Sequence, residues 1–400
     1  MLDRIMAIAG DVLMEDWWKP KPKWHGRPML VLYGAADRYN YGDNLMPILL
    51  LFYVEEHRPD LLRRFDIRVA AVSDSDLSAS GCLPTVSIKY LRQQLPDGSA
   101  VIVTGGEVVG ATALGQRAYR LKNRHAAAAM LFLNKLFQGS AEFPYVPAAD
   151  RFSAPPMICY NAVGGTIPRN GNQRRVLIDR LSRATYASVR DRRISAVDLR
   201  VYPDSVAAIP DLISNSFLNA STSGSVIYQY DSYFVFQAAP RRIGASAREV
   251  AESLVNATAV TGVPFVLLPI GYAAGHDDAV LLREVGRLTG FPVLDDLGLW
   301  EIMAAIKRSN GYFGTSLHGA ITASAFGLPH VGLGRVDKLA AYLRLWSPPP
   351  YDRLYTIDDV PRMARLADKP ANRAQLGTYA RRNSRLAMMN YAELLGSIHA

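Results

Sequence analysis

The sequence GYFGTSLHGAITASAF, residues 311–326, contains the clearest fold signal in the chain. It begins as a short apolar run, turns at Thr315 and Ser316, and continues as small apolar residues with a helical pattern. A buried strand that leads directly into a helix is the unit from which parallel α/β sheets are built. The stretch therefore predicts a βα unit whose turn lies at the carboxyl end of the strand.

Similar apolar runs recur in both halves of the chain, each followed by turn-forming residues and a longer helical pattern. Continuous apolar strands that alternate with helices predict parallel sheets with helices on both faces. The predicted strands are residues 29–35, 67–73, 100–106, 156–165 and 184–191 in the first half, and 225–231, 233–239, 264–272, 311–319 and 328–334 in the second.

This pattern predicts an α/β protein with two doubly wound, Rossmann-like domains that face a cleft. The polar stretch 210–225 is the expected junction, because linkers favour such composition. We expect the C-terminal helical tail to pack back on the first domain. The predicted segments are an N-terminal extension (1–28), an N-terminal Rossmann-like domain (29–212), a C-terminal Rossmann-like domain (225–347) and the tail (348–400).

The composition is that of a globular protein. The chain has 400 residues, of which 49% are hydrophobic and 20% charged. These values exclude wholesale disorder, a collagen-like repeat and a disulfide scaffold. Cys82 and Cys159 are the only cysteines, and they form no C-x-x-C pair, so we expect a reducing compartment and no metal site.

The first residues contain no secretory cleavage pattern, and no apolar run is long enough for a membrane span. Residues 1–18 could form an amphipathic helix that packs on the protein itself, or one that touches a membrane through Trp17 and Trp18. We therefore expect a cytoplasmic protein, with peripheral contact at the inner face of the plasma membrane as an alternative.

The formal net charge is +9, and residues 169–200 contribute nine Arg against three Asp. Such clustering indicates an anionic partner or, alternatively, a solvated helix face. The cluster surrounds the end of a predicted strand and lacks a nucleic-acid-binding motif, so a phosphorylated small molecule is favoured and nucleic acid is not.

Ligands of open α/β sheets bind at the carboxyl ends of the strands. In the first half, Asn40 and Asp43 follow the first strand, and Gly106 and Glu107 follow the third. Asn40 and Asp43 could bind a sugar hydroxyl or only cap the next helix. Glu107 could orient or deprotonate a hydroxyl, or be solvated. Neither a dinucleotide fingerprint nor a P-loop is present.

Arg190 ends the predicted strand inside the basic cluster. Its planar guanidinium matches phosphate and carboxylate groups, so it is a candidate anion ligand. An ion pair with Asp191 or Asp204 is the alternative.

His318 is the strongest catalytic candidate, because it would stand at the N-terminus of a helix in the cleft. Thr315 and Ser316 could bind ligand oxygens, and Gly319 would allow close approach. Gly275-His276-Asp277-Asp278 resembles a metal cluster but is better interpreted as a helix N-cap with an acidic first turn, and His330 as a core residue.

The motifs NYGD (40–43), SVRD (188–191) and SLHGAITASAFGLP (316–329) together resemble the polysaccharide pyruvyl transferase family, over residues 29–335. The resemblance implies a GT-B-like fold and transfer of a pyruvyl group from phosphoenolpyruvate to a sugar of a cell-surface polysaccharide or its lipid-linked precursor. It also implies that Arg190 binds the donor anion and that His318 is the acid/base residue.

One position departs from the family pattern, since many members have Arg where this chain has Ser316. Donor binding would then rely on Arg190, Arg169, Arg335 or the helix N-terminus. The resemblance implies that phosphoenolpyruvate is the donor substrate, and the reaction that it implies requires no cofactor or metal. The expected partners are this donor and a glycan or lipid-linked acceptor, while the oligomeric state stays open. Two alternatives are a GT-B glycosyltransferase that uses a nucleotide sugar and a catalytically silent binding protein.

Overall fold

The computed structural model describes residues 26–113, 115, 143–169, 171–271, 278–369 and 371–398. The chain divides into two compact units. Unit 1 comprises the described residues of Met1–Tyr39, Asp43–Ser205 and Met388–Ala400. Unit 2 comprises those of Asn40–Gly42 and Val206–Ala387. The three residues Asn40–Gly42 therefore belong to unit 2, although both flanking stretches belong to unit 1.

Unit 1 is built on one parallel sheet of eight strands. The strands are β1 (Met29–Tyr33), β2 (Asp66–Ala71), β3 (Val86–Ser87), β4 (Ala100–Val103), β5 (Glu107–Val109), β6 (Met157–Gly165), β7 (Tyr186–Val189) and β8 (Arg200–Val201). Seven strands follow the order β3-β2-β1-β4-β6-β7-β8, and β5 pairs with β6. The central strands are almost entirely buried, as their continuous apolar sequences predict.

Four helices are described between these strands. The longest has a nearly continuous apolar sequence, LMPILLLFYV, and its residues 45–54 are buried. The helices are α1 (Tyr41–His57), α2 (Pro59–Arg64), α3 (Ile88–Arg92) and α4 (Asn172–Ser182). The apolar side chains of α3 and α4 pack with those of the strands in a hydrophobic core of unit 1.

Strand β6 contains a bulge next to the carboxyl ends of its neighbours. Ala162 has φ = 45°, and the register with β7 shifts between Tyr160 and Val163. The hydroxyl of Ser188 accepts a hydrogen bond from the Ala162 amide at 2.8 Å. A bulge bends its strand and changes the direction of the following residues. Here the residues that follow pair with β5, where Gly164 lies opposite Glu107.

Unit 2 has a second parallel sheet, with strands β9 (Phe234–Gln237), β10 (Phe265–Leu267), β11 (Gly311–Gly314), β12 (His330–Leu333) and β13 (Leu354–Tyr355). Their order in the sheet is β10-β9-β11-β12-β13. Its helices are α5 (Ile209–Leu212), α6 (Asn215–Ser221), α7 (Pro240–Ile243), α8 (Ala247–Thr261), α9 (Asp278–Thr289), α10 (Leu299–Arg308), α11 (Leu317–Ala325), α12 (Asp337–Trp346) and α13 (Val360–Ala367).

Local sequence signals mark several of these helix ends. Helix α8 begins with a capping box, in which the Ser246 hydroxyl and the Glu249 carboxylate each accept a backbone N–H. It ends at Gly262, which has the left-handed φ of 73° that favours glycine.

The last helix, α14 (Ala371–Gly396), begins in unit 2 and ends in unit 1. Within unit 1, the Tyr186 hydroxyl donates to Oδ1 of Asn390 at 2.8 Å, and Nδ2 of Asn390 donates to Oδ1 of Asn161 at 2.6 Å. All three side chains are buried. The predicted packing of the tail on the first domain is confirmed.

Both predicted sheets are confirmed, but the predicted strand 225–231 is wrong. Residues 226–229 form a 3₁₀ helix in which Ile227 is buried while Val226 and Tyr228 stay exposed. One helical turn is enough to bury the single side chain of Ile227. The segment therefore does not extend the sheet. The expected junction 210–225 carries helix α6 inside unit 2. None of the helices in the described ranges combines the length and apolar character needed to cross a bilayer.

Candidate functional site

In unit 2, the imidazole of His318 packs directly against the backbone of Gly42. His318 lies in the first turn of α11 and is 7% exposed. A Cβ atom built on Gly42 would lie only 1.8 Å from Nδ1 of His318. Any side chain at this position would occupy the space of the ring, so glycine is required here for close approach. The motif NYGD and the motif SLHGA, far apart in the sequence, therefore meet at this contact.

Neighbouring residues hold the same two motifs together within unit 2. The Tyr41 hydroxyl shares a hydrogen bond of 3.0 Å with the hydroxyl of Thr322, one turn after His318. The Tyr41 amide donates to the carbonyl of Ile270 at 3.5 Å, and Asn40 forms a β-bridge with Gly271. Burial raises the pKa of Tyr41, so its hydroxyl stays protonated and available for this hydrogen bond.

The turn before α11 is held by Gln237, the last residue of β9. Oε1 of Gln237 accepts the amides of Thr315 at 3.1 Å and Ser316 at 2.8 Å. The Thr315 hydroxyl accepts the Ala239 amide at 3.0 Å. The Ser316 side chain caps the helix by accepting the Gly319 amide at 3.4 Å. Thr315 and Ser316 thus have structural contacts at the site where we expected them to bind a ligand.

Gly319 and Gly314 make room for the buried ring of Tyr312. A Cβ on Gly319 would lie 2.5 Å from the Tyr312 hydroxyl oxygen, and one on Gly314 would lie 2.4 Å from it. The hydroxyl donates to Oε1 of Gln237 at 3.0 Å. The absence of a side chain at Gly319 is therefore explained by packing inside unit 2, and close approach of a ligand stays a prediction.

In unit 1, Arg190 lies at the centre of a buried ion-pair network. Its Nη1 donates to Asp204 at 2.8 Å, and its Nη2 donates to Glu107 at 2.8 Å. Arg190 and Asp204 are both 0% exposed. Arg193 extends the network, because it contacts both Glu107 and Asp191. Burial acts to lower the pKa of Arg190, but the carboxylates outweigh it and the pKa is raised, so the residue stays charged.

This geometry corresponds to the ion-pair alternative for Arg190, and direct donor binding by Arg190 stays a prediction. Gly164 is what admits the guanidinium, since a Cβ there would lie 2.5 Å from Nε of Arg190 and 2.8 Å from Oε2 of Glu107. Breaking a buried ion pair leaves an uncompensated charge, so removal of Arg190 alone is expected to destabilise unit 1.

Asp43 and Gly106 lie together at the same edge of the unit 1 sheet. A Cβ on Gly106, which has φ = 87°, would lie 3.1 Å from Oδ1 of Asp43. Gly106 precedes Glu107, so three of the four predicted acceptor residues are brought together in unit 1. The fourth, Asn40, belongs to unit 2. The Arg169 side chain is exposed.

Two other histidine motifs have separate outcomes. His330 is a core residue, as predicted, with Nδ1 2.8 Å from the Leu328 carbonyl and Nε2 2.8 Å from the Ser347 hydroxyl. Residues 275–277 of the sequence GHDD lie outside the described residues, while Asp278 is in the first turn of α9. In the described part of the chain, no three His, Cys, Asp or Glu side chains are grouped as metal ligands.

Sequence reasoning missed Gln237 and the close approach of Gly42 to His318. Both depend on contacts between distant segments. The signal that could have found Gln237 is its position, because an amide at the end of the otherwise apolar strand FVFQ needs a buried hydrogen-bond partner.

Two solved structures illustrate what this chain is similar to. HepE from Anabaena, in complex with UDP and glucose, has 11% identity over 93% of this chain and 99% of its own, with a TM-score of 0.50. The UDP-GlcNAc 2-epimerase from Neisseria meningitidis bound to UDP-GlcNAc has 9% identity over 93% and 99%, with a TM-score of 0.49. At these identities the likeness to HepE concerns the fold alone, and with the two parallel sheets it confirms the GT-B-like class.

The sequence profile of the family described as polysaccharide pyruvyl transferase matches residues 40–337, which is most of the chain. No significant match was found among curated proteins. The fold and this match together define the class of protein. The chain belongs to the polysaccharide pyruvyl transferase family.

Proposed function

We propose that this protein transfers a pyruvyl group from phosphoenolpyruvate to a sugar of a cell-surface polysaccharide or its lipid-linked precursor, and forms a cyclic ketal. The observation that carries the proposal is the contact of Gly42 with His318, because it joins two motifs of the matched family at a residue able to transfer protons. The reaction takes place in the cytoplasm, where phosphoenolpyruvate is made.

The proposed reaction requires proton transfers and the release of phosphate. One acceptor hydroxyl forms a bond to C2 of phosphoenolpyruvate while C3 takes up a proton and becomes a methyl group. The C2–O bond to phosphate then breaks, and a second hydroxyl closes the ketal and loses its proton. His318 gives the proton to C3 and accepts one from the attacking hydroxyl. Such positioned proton transfer typically contributes about 10²–10⁴-fold in rate.

The donor carries a phosphate and a carboxylate, which need cations. Ser316 supplies none, so we assign this role to Arg335 and Arg242, while Arg190 and Arg169 remain the alternatives in unit 1. Arg335 follows β12 and Arg242 follows β9, the two strands that flank β11. The Arg335 amide donates to the Arg242 carbonyl at 3.0 Å. Both side chains are exposed at the carboxyl edge of the sheet, where α11 begins.

Acceptor binding is proposed for Asn40, Asp43, Gly106 and Glu107. The carboxylates of Asp43 and Glu107 can accept hydrogen bonds from sugar hydroxyls, and Gly106 lies against Asp43 and directly precedes Glu107. Because Glu107 is held by Arg190 and Arg193, its carboxylate has a fixed direction.

The direct test combines the purified protein with phosphoenolpyruvate and candidate acceptor glycans. We expect release of inorganic phosphate by ³¹P NMR and a pyruvate ketal on the acceptor by mass spectrometry. His318→Ala should release no phosphate above background, whereas His57→Ala, a change at an exposed histidine in unit 1, should match the unsubstituted protein. Transfer of sugar from a nucleotide sugar, or binding with no turnover of either donor, would refute the proposal.

A further inference from the structure

Gln237 is buried at the carboxyl end of β9 and gathers several donors on one oxygen. It is 2% exposed. Besides the amides of Thr315 and Ser316, its Oε1 accepts the Tyr312 hydroxyl at 3.0 Å. The carbonyl oxygen of this side chain therefore satisfies the backbone N–H groups of the turn that leads into α11.

Asp278 determines which way the Gln237 amide is oriented. The Nε2 group of Gln237 donates to Oδ2 of Asp278 at 2.8 Å, and Asp278 is 1% exposed. A carboxylate accepts but does not donate, so it selects the –NH₂ end of the amide and turns the carbonyl end toward Thr315 and Ser316. The hydrogen bond between Gln237 and Asp278 therefore fixes the orientation of both side chains.

From this geometry we propose that Gln237 is a positioning residue for His318, with its own orientation fixed by Asp278. The inference rests on the proposed function, since it concerns the residue assigned to proton transfer. Gln237 fixes Thr315 and Ser316, and the Ser316 hydroxyl caps the turn that carries His318. A shift of this turn moves the imidazole away from the reacting atoms.

The substitution Gln237→Glu tests this pairing with almost no change of volume. One carboxylate oxygen can still accept the two amides, but the other faces Asp278 and can no longer donate. Two carboxylates at this distance cannot both stay ionised without strong repulsion. Asp278→Asn restores a donor on the opposite side, so the double variant Gln237→Glu/Asp278→Asn should recover the arrangement.

Kinetics give the first readout. For Gln237→Glu we expect kcat near pH 8 to fall by about 100-fold, the effect of displacing a catalytic group by about 1 Å, with the KM for phosphoenolpyruvate nearly unchanged. The activity should rise as the pH falls, because a protonated Glu can donate to Asp278 as Gln does. The double variant should return to within about threefold of the unsubstituted protein. Gln229→Glu, at an exposed glutamine in unit 2, is the control for added charge.

NMR of ¹³C-labelled histidine gives a second readout that needs no turnover. The His318 resonance, assigned with His318→Ala, should shift in Gln237→Glu and return in the double variant. If no donor reacts but this pattern appears, the positioning role holds and the proposed function fails.

The milder variant Tyr312→Phe removes one donor from Oε1 without adding charge. We expect it to fold, to lower kcat by about fivefold and to shift the same resonance. Far-UV circular dichroism and urea midpoints check folding. An unshifted His318 resonance in folded Gln237→Glu or in Tyr312→Phe, or a double variant as impaired as Gln237→Glu, would overturn the inference.

Discussion

Replacing Gly42 with alanine should inactivate the protein by moving His318. The added Cβ would lie 1.8 Å from Nδ1, so the imidazole must withdraw by about 1.6 Å to reach ordinary contact. A displacement of about 1 Å at a catalytic group costs about 100-fold in rate, and we expect at least this loss in kcat. Gly42 is in the first turn of α1, so the gain of roughly 0.5–1 kcal/mol that alanine gives in a helix interior is an upper bound here. Overpacking costs about 1–3 kcal/mol, so the net effect on stability should be small or unfavourable.

The assay for Gly42→Ala is the initial rate of phosphate release from phosphoenolpyruvate, with urea unfolding to check stability. Gly396→Ala is the matched control, because a Cβ there meets nothing within 4 Å and the residue also lies in a helix. The control should keep full activity and a slightly higher urea midpoint. A folded Gly42→Ala protein with normal kcat and an unshifted His318 resonance would refute the argument.

Four further predictions follow from the same geometry. Arg190→Ala should lower the free energy of unfolding by about 3–5 kcal/mol in urea titrations, because it leaves buried carboxylates without their cation; a loss below about 1 kcal/mol would contradict the ion-pair role. Ser316→Ala should cost about 1 kcal/mol by loss of the helix cap, and Ser316→Asp should not; equal midpoints for the two would count against capping. Arg335→Ala should raise the KM for phosphoenolpyruvate about tenfold, whereas Arg308→Ala, at the end of α10, should leave it unchanged; the reverse order would remove Arg335 from the donor site. Burial lowers the pKa of His330 to about 4, below its usual 6.5. The contribution of this residue to stability is therefore complete above pH 6.5 and is lost as the pH falls toward 4, by about 3 kcal/mol in total. His330→Asn should flatten this part of the pH profile in thermal unfolding.

The βα pattern was predictable from sequence because it depends on local properties. Residues 311–326 fold as the quoted stretch predicts, with strand β11, a turn and helix α11. Apolar runs without alternation indicated buried parallel strands, and the structure has them in both units. The capping serine Ser316 could also have been recognised, since serine at this position accepts a backbone amide.

The organisation of the candidate site could not be predicted, because it depends on pairings between distant segments. The sequence offers no sign that Gly42 meets His318, or that Asn390 from the last helix reaches Asn161. Arg190 illustrates a related difficulty. Its sequence context suits an anion ligand equally well, and only the positions of Asp204 and Glu107 reveal the ion pairs.

The most direct test of the central claim follows the proton that reaches C3 of the donor. The protein, phosphoenolpyruvate and a reactive acceptor are combined in D₂O, and the ketal methyl group is analysed by ¹H and ¹³C NMR. Our account predicts a CH₂D group on the ketal, one phosphate released for each ketal formed, and neither product with His318→Ala. A ketal formed at the normal rate by folded His318→Ala would contradict the role of His318, and absence of any ketal with phosphoenolpyruvate alongside turnover of a nucleotide sugar would contradict the reaction itself.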